Sequence, residues 1–366
     1  MKKIFNKNVL KIIIFLTIFM ILFCALGRFF NPTGTIMEWF QSYTVTEFYK
    51  ERNNSIDVLY VGNSCIYTGV SPMEVYKHTG ITGYAFSTSG QRMVSSYYFI
   101  KEAFRTQQPK LVILEIGEAF TGIDKNDEMS IRRAIDSLKF SKNKLEMIWD
   151  EDYRLSNYDK LSCIFPILRF HSRWDKLDES DIRKFVFKGN YTDKGYLLEK
   201  TTKKYNGRVN RRLEREIEEE DIDTEEELQF EFSKIPSEVR IKIDKMIEYC
   251  KEMNSELIFI KLPEPIVWNE EKHEIIEDYA KEKNVKFIDL NYDENINIDW
   301  QTDTQDEGNH LNLYGAEKVG KYLSDYLVNN FDFVDHRNDE KYNDWNEFLV
   351  AYEEEKLYNQ IQQEQE

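Results

Sequence analysis

Short, almost continuous apolar runs recur along the chain, separated by stretches with helical periodicity. Runs of this kind are typical of strands in a parallel sheet that is covered on both faces. The alternation of such runs with helices predicts an α/β fold: a three-layer sandwich with a central parallel sheet of about five strands and right-handed crossovers. The predicted strands are Ile56–Val61, Ile81–Phe86, Leu111–Ile116, Leu257–Leu262 and Val285–Leu290, and the predicted helices include Val94–Phe104, Val239–Cys250, Ile275–Tyr279 and a final one after Asn312.

The N-terminal region carries one apolar run that is long enough to cross a bilayer. Between Val9 and Leu26 the only charge is Lys11, whose long side chain can reach the interface. Basic residues are concentrated before the run, at Lys2, Lys3, Lys7 and Lys11, and only Arg28 follows closely. The positive-inside rule then predicts a single-pass protein of the cell membrane with a cytoplasmic N-terminus and an extracytoplasmic main domain. A cleaved signal peptide is the alternative, since Ala25-Leu26-Gly27 has cleavage-like spacing.

The same patterns divide the 366 residues into segments. We predict a cytoplasmic leader and transmembrane anchor over 1–30, a juxtamembrane segment over 31–54 and the α/β domain over 55–330. A largely helical insertion interrupts the domain at about 121–236, and its acidic stretch Glu214–Glu227 is interpreted as a solvated helix face or loop. Residues 331–366, charged and rich in Gln, are predicted to be a polar tail that adds little to the core.

Charge and cysteine content exclude several classes of function. Without the five basic residues of the leader, 44 Lys and Arg face 66 Asp and Glu, a net charge of about −22. A surface this acidic is unsuited to binding nucleic acid. Three of the four cysteines lie outside the apolar run at wide spacing, which indicates neither a disulfide framework nor a zinc site, and no cofactor is indicated.

Candidate chemistry begins directly after the first predicted strand, at Gly62-Asn63-Ser64. A serine at the carboxyl end of a parallel strand can project its hydroxyl into the cleft above the sheet. Serine needs a base to take its proton, and His310, just before the last helix, has the right chemistry. A nearby carboxylate could orient the imidazole; Glu307, Asp306 and Asp303 precede it by three, four and seven residues.

Other residues are candidates for binding substrate or a developing oxyanion. The backbone N–H of Ser64 and that of Gly90, which follows the second strand, are candidate oxyanion donors. Asn63 and Asn312 flank the serine and the histidine. In the insertion, His171 and Arg173 belong to a cluster of cations and aromatics that could face an anionic or sugar substrate, and a packed turn is the alternative interpretation. The other histidines are predicted to lie on the surface.

These residues together resemble the SGNH (GDSL-type) hydrolase superfamily and, within it, the membrane-anchored O-acyltransferase-like branch. Gly62-Asn63-Ser64 is similar to the first block, with Asn63 in place of Asp. Gly90 corresponds to the second-block glycine, and His310 in HLNLYGAEK corresponds to the last-block histidine. The chain departs from the family after the third strand, where LEIGE lacks the oxyanion Asn, and at position 307, where Glu replaces the usual Asp.

The resemblance implies a serine O-acetyltransferase or esterase. A membrane tether favours a cell-envelope polysaccharide as the acceptor, and in this branch a multispanning membrane acyltransferase or exporter is an expected partner. The missing third-block Asn leaves a second hypothesis open, a non-catalytic SGNH-fold module that binds or assembles with such an exporter. A plain esterase or lipase is a third.

Overall fold

A computed structural model describes residues 7–31, 40–122, 128–177, 179, 181–182, 193–207, 209, 234–293 and 295–363. Its centre is a five-stranded sheet of order β2-β1-β3-β4-β5 in which every pair of neighbours is parallel. The predicted fold class and all five predicted strands are therefore confirmed. The strands are β1 (Val58–Gly62), β2 (Gly83–Ser87), β3 (Leu111–Glu115), β4 (Glu256–Lys261) and β5 (Phe287–Asp289).

Helices cover both faces of the sheet. In chain order, the helices of the described residues are α1 (Lys7–Phe30), α2 (Phe40–Phe48), α3 (Ser64–Gly69), α4 (Pro72–Thr79), α5 (Met93–Ala103), α6 (Glu128–Ser137), α7 (Lys142–Ile148), α8 (Asn157–Ile164), α9 (Ile167–Phe170), α10 (Ser237–Glu252), α11 (Glu270–Lys283), α12 (Leu313–Asn330) and α13 (Asn343–Gln363). Short 3₁₀ turns occupy Gly117–Phe120, Glu151–Tyr153, His171–Asp175 and Glu340–Tyr342.

Strand β1 shows why its sequence is apolar throughout. Leu59 and Val61 pack into one buried cluster together with α5 and α10. Val58 and Tyr60 face the opposite way, into a second cluster that includes side chains of α3 and α12. Since alternate residues of a strand point to opposite faces, a strand covered on both sides needs apolar residues at every position.

The insertion has two parts among its described residues. From Glu128 to Asp175 it is largely helical, as predicted. From 193 to 207 it runs without regular helix or strand, and we call this part the strap. The strap is joined to α3 through the Leu197 N–H, which donates to the Tyr67 carbonyl at 2.6 Å. The acidic stretch Glu214–Glu227 lies outside the described residues.

The C-terminal residues differ from the prediction of a polar tail that adds little to the core. Helix α13 packs against α4, and its Trp345 and Tyr352 are fully buried. The two rings lie 5.1 Å from Tyr76 and 6.4 Å from Tyr196, respectively. Lys356 of α13 pairs with Glu74 of α4. That prediction is wrong because the average polarity of the segment hides a few aromatic residues at helical spacing.

Helix α1 is, among the described residues, the one helix long and apolar enough to cross a membrane. Its apolar side chains are exposed along almost the whole length, and Gly27 near its end is its one buried residue. Such exposure is unfavourable in water and suits hydrocarbon. Length and composition fit a membrane anchor and a signal sequence alike.

Candidate active site

The junction between β1 and α3 presents Ser64 at the carboxyl edge of the sheet. The strand ends at Gly62 and the helix begins at Ser64. A Cβ at position 62 would lie 2.7 Å from Cβ of Glu115 and 2.7 Å from Cγ1 of Ile66, so this position has no room for a side chain. Asn63 caps the helix, its Oδ1 accepting the Cys65 N–H at 2.9 Å. The absence of a side chain at position 62 therefore allows this close packing, and the Asn63 cap fixes the start of the helix at Ser64.

Ser64 and His310 are brought together although 246 positions separate them. The Ser64 hydroxyl donates to Nε2 of His310 at 2.7 Å. On the other side of the ring, Nδ1 donates to Oδ2 of Asp306 at 2.5 Å. The His310 and Asp306 side chains are 28% and 35% exposed, so solvent reaches them. Hydroxyl, imidazole and carboxylate thus form the linear relay that nucleophilic catalysis by serine requires.

The structure selects Asp306 among the three carboxylates that the sequence left open. Besides the ring, Asp306 also accepts the backbone N–H of His310, through Oδ1 at 2.7 Å. Glu307 is exposed and adopts a left-handed backbone (φ 63°), and its N–H donates to the Lys203 carbonyl at 3.0 Å. Asp303 is buried against Lys318 at 2.5 Å. Neither Glu307 nor Asp303 contacts the His310 ring.

Asp306 is held as a carboxylate. Partial burial favours its neutral form, but hydrogen bonds from the ring and backbone of His310, and the nearby charge of Lys203, outweigh it. The pKa of Asp306 consequently lies below the ordinary value of an aspartate. An acceptor that stays charged fixes the imidazole with its proton on Nδ1, which leaves Nε2 free to accept the proton of Ser64.

Asn312 stabilises the loop that carries His310. Its Oδ1 accepts the N–H groups of Tyr314 and Gly315 and so caps α12. Its Nδ2 donates to the Thr302 carbonyl at 2.7 Å and to Oγ1 of Thr202 in the strap at 3.1 Å. The sequence placed Asn312 among the binding residues; the structure gives it contacts within the loop, the strap and the helix end, all of which hold His310 in place.

Glu118 lies in the 3₁₀ turn after β3 and contacts the turn that carries Ser64. Its Oε1 accepts from Nδ2 of Asn63 at 3.0 Å, and its Oε2 pairs with Arg92 at 2.5 Å. The Asn63 amide is therefore used by Cys65 and Glu118. Glu118 therefore supports the turn that carries Ser64.

The loop after β2 meets the insertion beside Ser64. Gly90 has a left-handed backbone (φ 64°), and a Cβ there would lie 2.7 Å from Oγ of Ser130 in α6. Arg133 of the same helix donates to the Ser89 carbonyl at 2.8 Å. Burial raises the pKa of Tyr67 to about 12, while hydrogen bonds to Ser89 and Ser64 act in the opposite direction. A protonated phenol and a guanidinium thus lie beside the Ser89-Gly90 loop, and nothing in the sequence marked either group.

Charged residues are buried beneath the site at the carboxyl ends of β3 and β4. Lys261 pairs with Glu115 at 3.2 Å and with Glu264 at 3.4 Å. Burial opposes the charge on Lys261, but the two carboxylates hold its pKa above the ordinary value. Cys65 lies nearby, and burial raises the pKa of its thiol to about 12. A protonated thiol is a poor nucleophile, so Ser64 is the reactive candidate of this pair.

The insertion residues predicted to face substrate lie elsewhere. Nδ1 of His171 bonds to the Leu168 carbonyl at 3.1 Å, and Arg173 contacts Phe30 and Asp181. Neither residue contacts Ser64 or His310. Two histidines predicted to be surface residues are partly enclosed instead, because carboxylates bind them: His273 pairs with Asp289 at 2.8 Å and His336 with Asp57 at 2.9 Å.

The elements carrying Ser64, Gly90 and His310 occur along the chain in the order that the resemblance to SGNH hydrolases implies, on an α/β fold with a five-stranded parallel sheet. No protein-family model and no curated protein matches the sequence. Among solved structures, the chain is similar to a GDSL-like lipase from Bacteroides thetaiotaomicron VPI-5482, with 12% identity, coverage of 79% of this chain and 97% of that chain, and a TM-score of 0.36. It is also similar to a protein provisionally named an acylhydrolase from Bacteroides fragilis NCTC 9343, with 12% identity, coverage of 82% and 98%, and a TM-score of 0.33. Similarity at this level shows nothing about activity, which depends on the geometry of the site.

Proposed function

We propose that the chain is a membrane-anchored, extracytoplasmic serine acyl-transfer enzyme, an O-acetyltransferase or esterase of SGNH type. The observation that carries the proposal is the relay from Ser64 through His310 to Asp306, with hydrogen bonds of 2.7 and 2.5 Å. A histidine with a purely structural role needs neither a serine on one ring nitrogen nor an ionised carboxylate on the other. The His310 side chain has both partners and is 28% exposed, so substrate can reach it.

The relay supports a two-step transfer. Ser64 Oγ attacks the carbonyl carbon of an acyl ester while Nε2 of His310 takes its proton. The tetrahedral intermediate collapses, and the departing alkoxide takes that proton from His310, which leaves an ester on Ser64. A water or sugar hydroxyl then attacks this ester, passing its proton to Nε2, and Ser64 recovers the proton as it leaves.

The intermediate needs donors for its negative oxygen. We assign this role to the backbone N–H groups of Ser64 and Gly90, which lie on loops that meet at the carboxyl edge of the sheet. Tyr67, whose raised pKa keeps the phenol protonated at neutral pH, is a third candidate donor. It would stand in for the Asn that this chain lacks after β3.

The acceptor is inferred from the anchor. If α1 spans the membrane, the domain stays within reach of lipid-linked or envelope glycans, and a cell-envelope polysaccharide is the proposed acceptor. A multispanning acyl exporter is the proposed source of acyl groups. The acidic net charge of the exterior part means that an acidic polymer would need local cations, and Arg133 beside the Ser89-Gly90 loop is one candidate.

The test compares Ser64→Ala with Ser237→Ala, a matched serine on the exposed start of α10. With p-nitrophenyl acetate as donor, we expect Ser64→Ala to lower kcat/KM by several orders of magnitude, on the scale seen when a serine nucleophile is removed. Ser237→Ala should retain the activity of the unmodified chain. Equal activity in all three proteins would contradict the proposal and favour the non-catalytic module.

A second measurement separates transfer from hydrolysis. Oligosaccharide acceptors of increasing length are added to compete with water for the acyl group. The amounts of acetyl-oligosaccharide and of free acetate are measured for each acceptor. An acyltransferase gives rising transfer product without a matching rise in acetate, whereas an esterase gives acetate alone.

A further inference from the structure

The C-terminal end of α1 packs against one part of the insertion, residues 157–176, which we call the exit segment. The ring of Phe23 lies 5.6 Å from that of Phe165. One turn later Gly27 is buried, and a Cβ there would lie 3.3 Å from the backbone N of Ile167. Glycine at this position allows the helix to approach the segment closely, so the two form a packed junction.

Arg173 of the exit segment closes this junction. Its Nη1 donates to the Phe30 carbonyl at 2.6 Å, which satisfies one of the carbonyls that a helix end leaves without an intrahelical partner. Its guanidinium also binds both oxygens of Asp181 at 3.2 and 3.1 Å. The Asp181 side chain is fully buried. This arrangement anchors the end of α1 to the folded domain.

The packing fixes the depth of the exit segment if α1 crosses a bilayer. The helix has 24 residues and so extends for about 36 Å, against a hydrocarbon core of about 30 Å. Phe165 touches Phe23, which lies about 10 Å along the axis before Phe30. The segment would therefore lie at the boundary between headgroups and acyl chains.

The composition of the exit segment suits that depth. Trp174 is 70% exposed and Leu161 is 47% exposed, while Phe165, Leu168 and Phe170 are only partly covered. Between positions 157 and 176 there are four Lys or Arg and two Asp, in a chain whose net charge is −17. Exposed aromatic residues beside basic ones are typical of a membrane interface, and the basic residues favour anionic headgroups.

We propose that the exit segment inserts into the interface of the outer leaflet, with Trp174 among the upper acyl chains and Arg169 and Lys176 at anionic phosphates. This inference rests on α1 serving as the membrane anchor of the proposed function. The domain is then attached to the bilayer at two adjacent places, and the cleft at Ser64 keeps one orientation relative to the membrane instead of swinging on a single helix.

The experiment uses the full chain in nanodiscs of phosphatidylcholine and phosphatidylglycerol, with and without lipid spin-labelled near the headgroup end of its acyl chains. Tryptophan emission is compared in the unmodified chain, in Trp174→Phe and in Trp149→Phe. Trp149 is the matched control, because it is 49% exposed and lies in the same insertion outside the exit segment. Both replacements are at exposed positions and preserve an aromatic ring.

We expect the spin-labelled lipid to quench a share of emission that disappears in Trp174→Phe and persists in Trp149→Phe. The share should be up to about a sixth of the total, since the chain has six tryptophans. Replacing phosphatidylglycerol with phosphatidylcholine should reduce this quenching, and so should the double variant Arg169→Glu, Lys176→Glu.

Vesicle flotation distinguishes the failure of this inference alone from the failure of the membrane anchor itself. A chain that floats with vesicles but shows no Trp174-dependent quenching is anchored without an inserted exit segment, which overturns this inference and points to a protein partner on that surface. A chain that does not float has no anchor, which overturns the inference together with the anchor. Esterase activity at Ser64 is measured independently of both results.

Discussion

Replacing Asp306 with Asn removes one charge and one acceptor from the relay without changing the size of the side chain. Both carboxylate oxygens are in use, Oδ1 accepting the His310 backbone N–H at 2.7 Å and Oδ2 accepting from Nδ1 at 2.5 Å. An amide has a single acceptor oxygen. If that oxygen keeps the backbone hydrogen bond, the NH₂ group faces Nδ1 and drives the ring proton to Nε2, where it blocks proton transfer from Ser64.

The expected loss in kcat follows from this wrong tautomer and from the lost charge that stabilises the imidazolium. Removing the charge of the corresponding carboxylate in a chymotrypsin-type protease lowers kcat by about 10⁴. Asp306 is more exposed than a fully buried triad carboxylate, so we expect on the order of 10³ to 10⁴, or about 4 to 5.5 kcal/mol in the activation barrier.

The assay is the steady-state hydrolysis of p-nitrophenyl acetate, with urea unfolding to verify that the variant remains folded. Glu307→Gln is the matched control, because Glu307 is the adjacent carboxylate, is exposed and does not contact His310. We expect the control to stay within about twofold, as surface changes usually do. An equal loss in both variants, or a loss confined to Glu307→Gln, would refute the assignment of Asp306 as the orienting acid.

Three further predictions concern the site and its support. Gly62→Ala should destabilise the fold by about 1 to 3 kcal/mol in urea unfolding, because the new methyl group would lie 2.7 Å from both Glu115 and Ile66. Trp345→Ala should lower stability by about 3 to 5 kcal/mol in the same assay if α13 is part of the core; no change would restore the idea of a loose tail. Because the pKa of Asp306 is depressed, its charge is present above the ordinary aspartate pKa and is lost only as pH falls through the lower value. Protonation of Asp306 should therefore not contribute to the acid limb of a plot of log(kcat/KM) against pH, so that limb should have a slope of one above the ordinary aspartate pKa. A slope of two there would contradict the depressed pKa of Asp306.

The sheet could be predicted from the sequence because burial on both faces leaves a direct signal. Leu59 and Val61 belong to one core and Val58 and Tyr60 to the other, so the strand has no polar position to confuse the pattern. Ser64 and His310 could be proposed for a similar reason, since each stands at the junction between a predicted strand or loop and the start of a helix.

The orienting acid could not be chosen from spacing alone. Glu307 and Gly308 both adopt left-handed backbone, with φ of 63° and 95°, and this turn brings the carboxylate four residues before His310 back onto the ring. Such a loop conformation depends on partners far away in sequence, among them Lys203 of the strap. The same dependence hid Arg133, which reaches the Ser89-Gly90 loop only because α6 of the insertion packs there.

The location of His171 and Arg173 could not be predicted from the sequence for a different reason. A cluster of cations and aromatics is equally suited to a substrate cleft, a packed turn or a membrane interface. The deciding observation is that Arg173 binds the Phe30 carbonyl at the end of α1. No pattern within residues 169–174 could have identified that partner, because it lies some 140 positions earlier in the chain.

In the proposed mechanism, Ser64 forms a covalent ester during turnover. Its most direct measurement is intact-protein mass spectrometry of the full chain mixed rapidly with an activated acetyl ester, followed by peptide mapping. We predict a transient increment of one acetyl group, about 42 Da, on the peptide that contains Ser64, discharged when water or a sugar acceptor is supplied and absent from Ser64→Ala. An increment on any other residue that persists in Ser64→Ala, or turnover without any acyl-enzyme, would contradict the account.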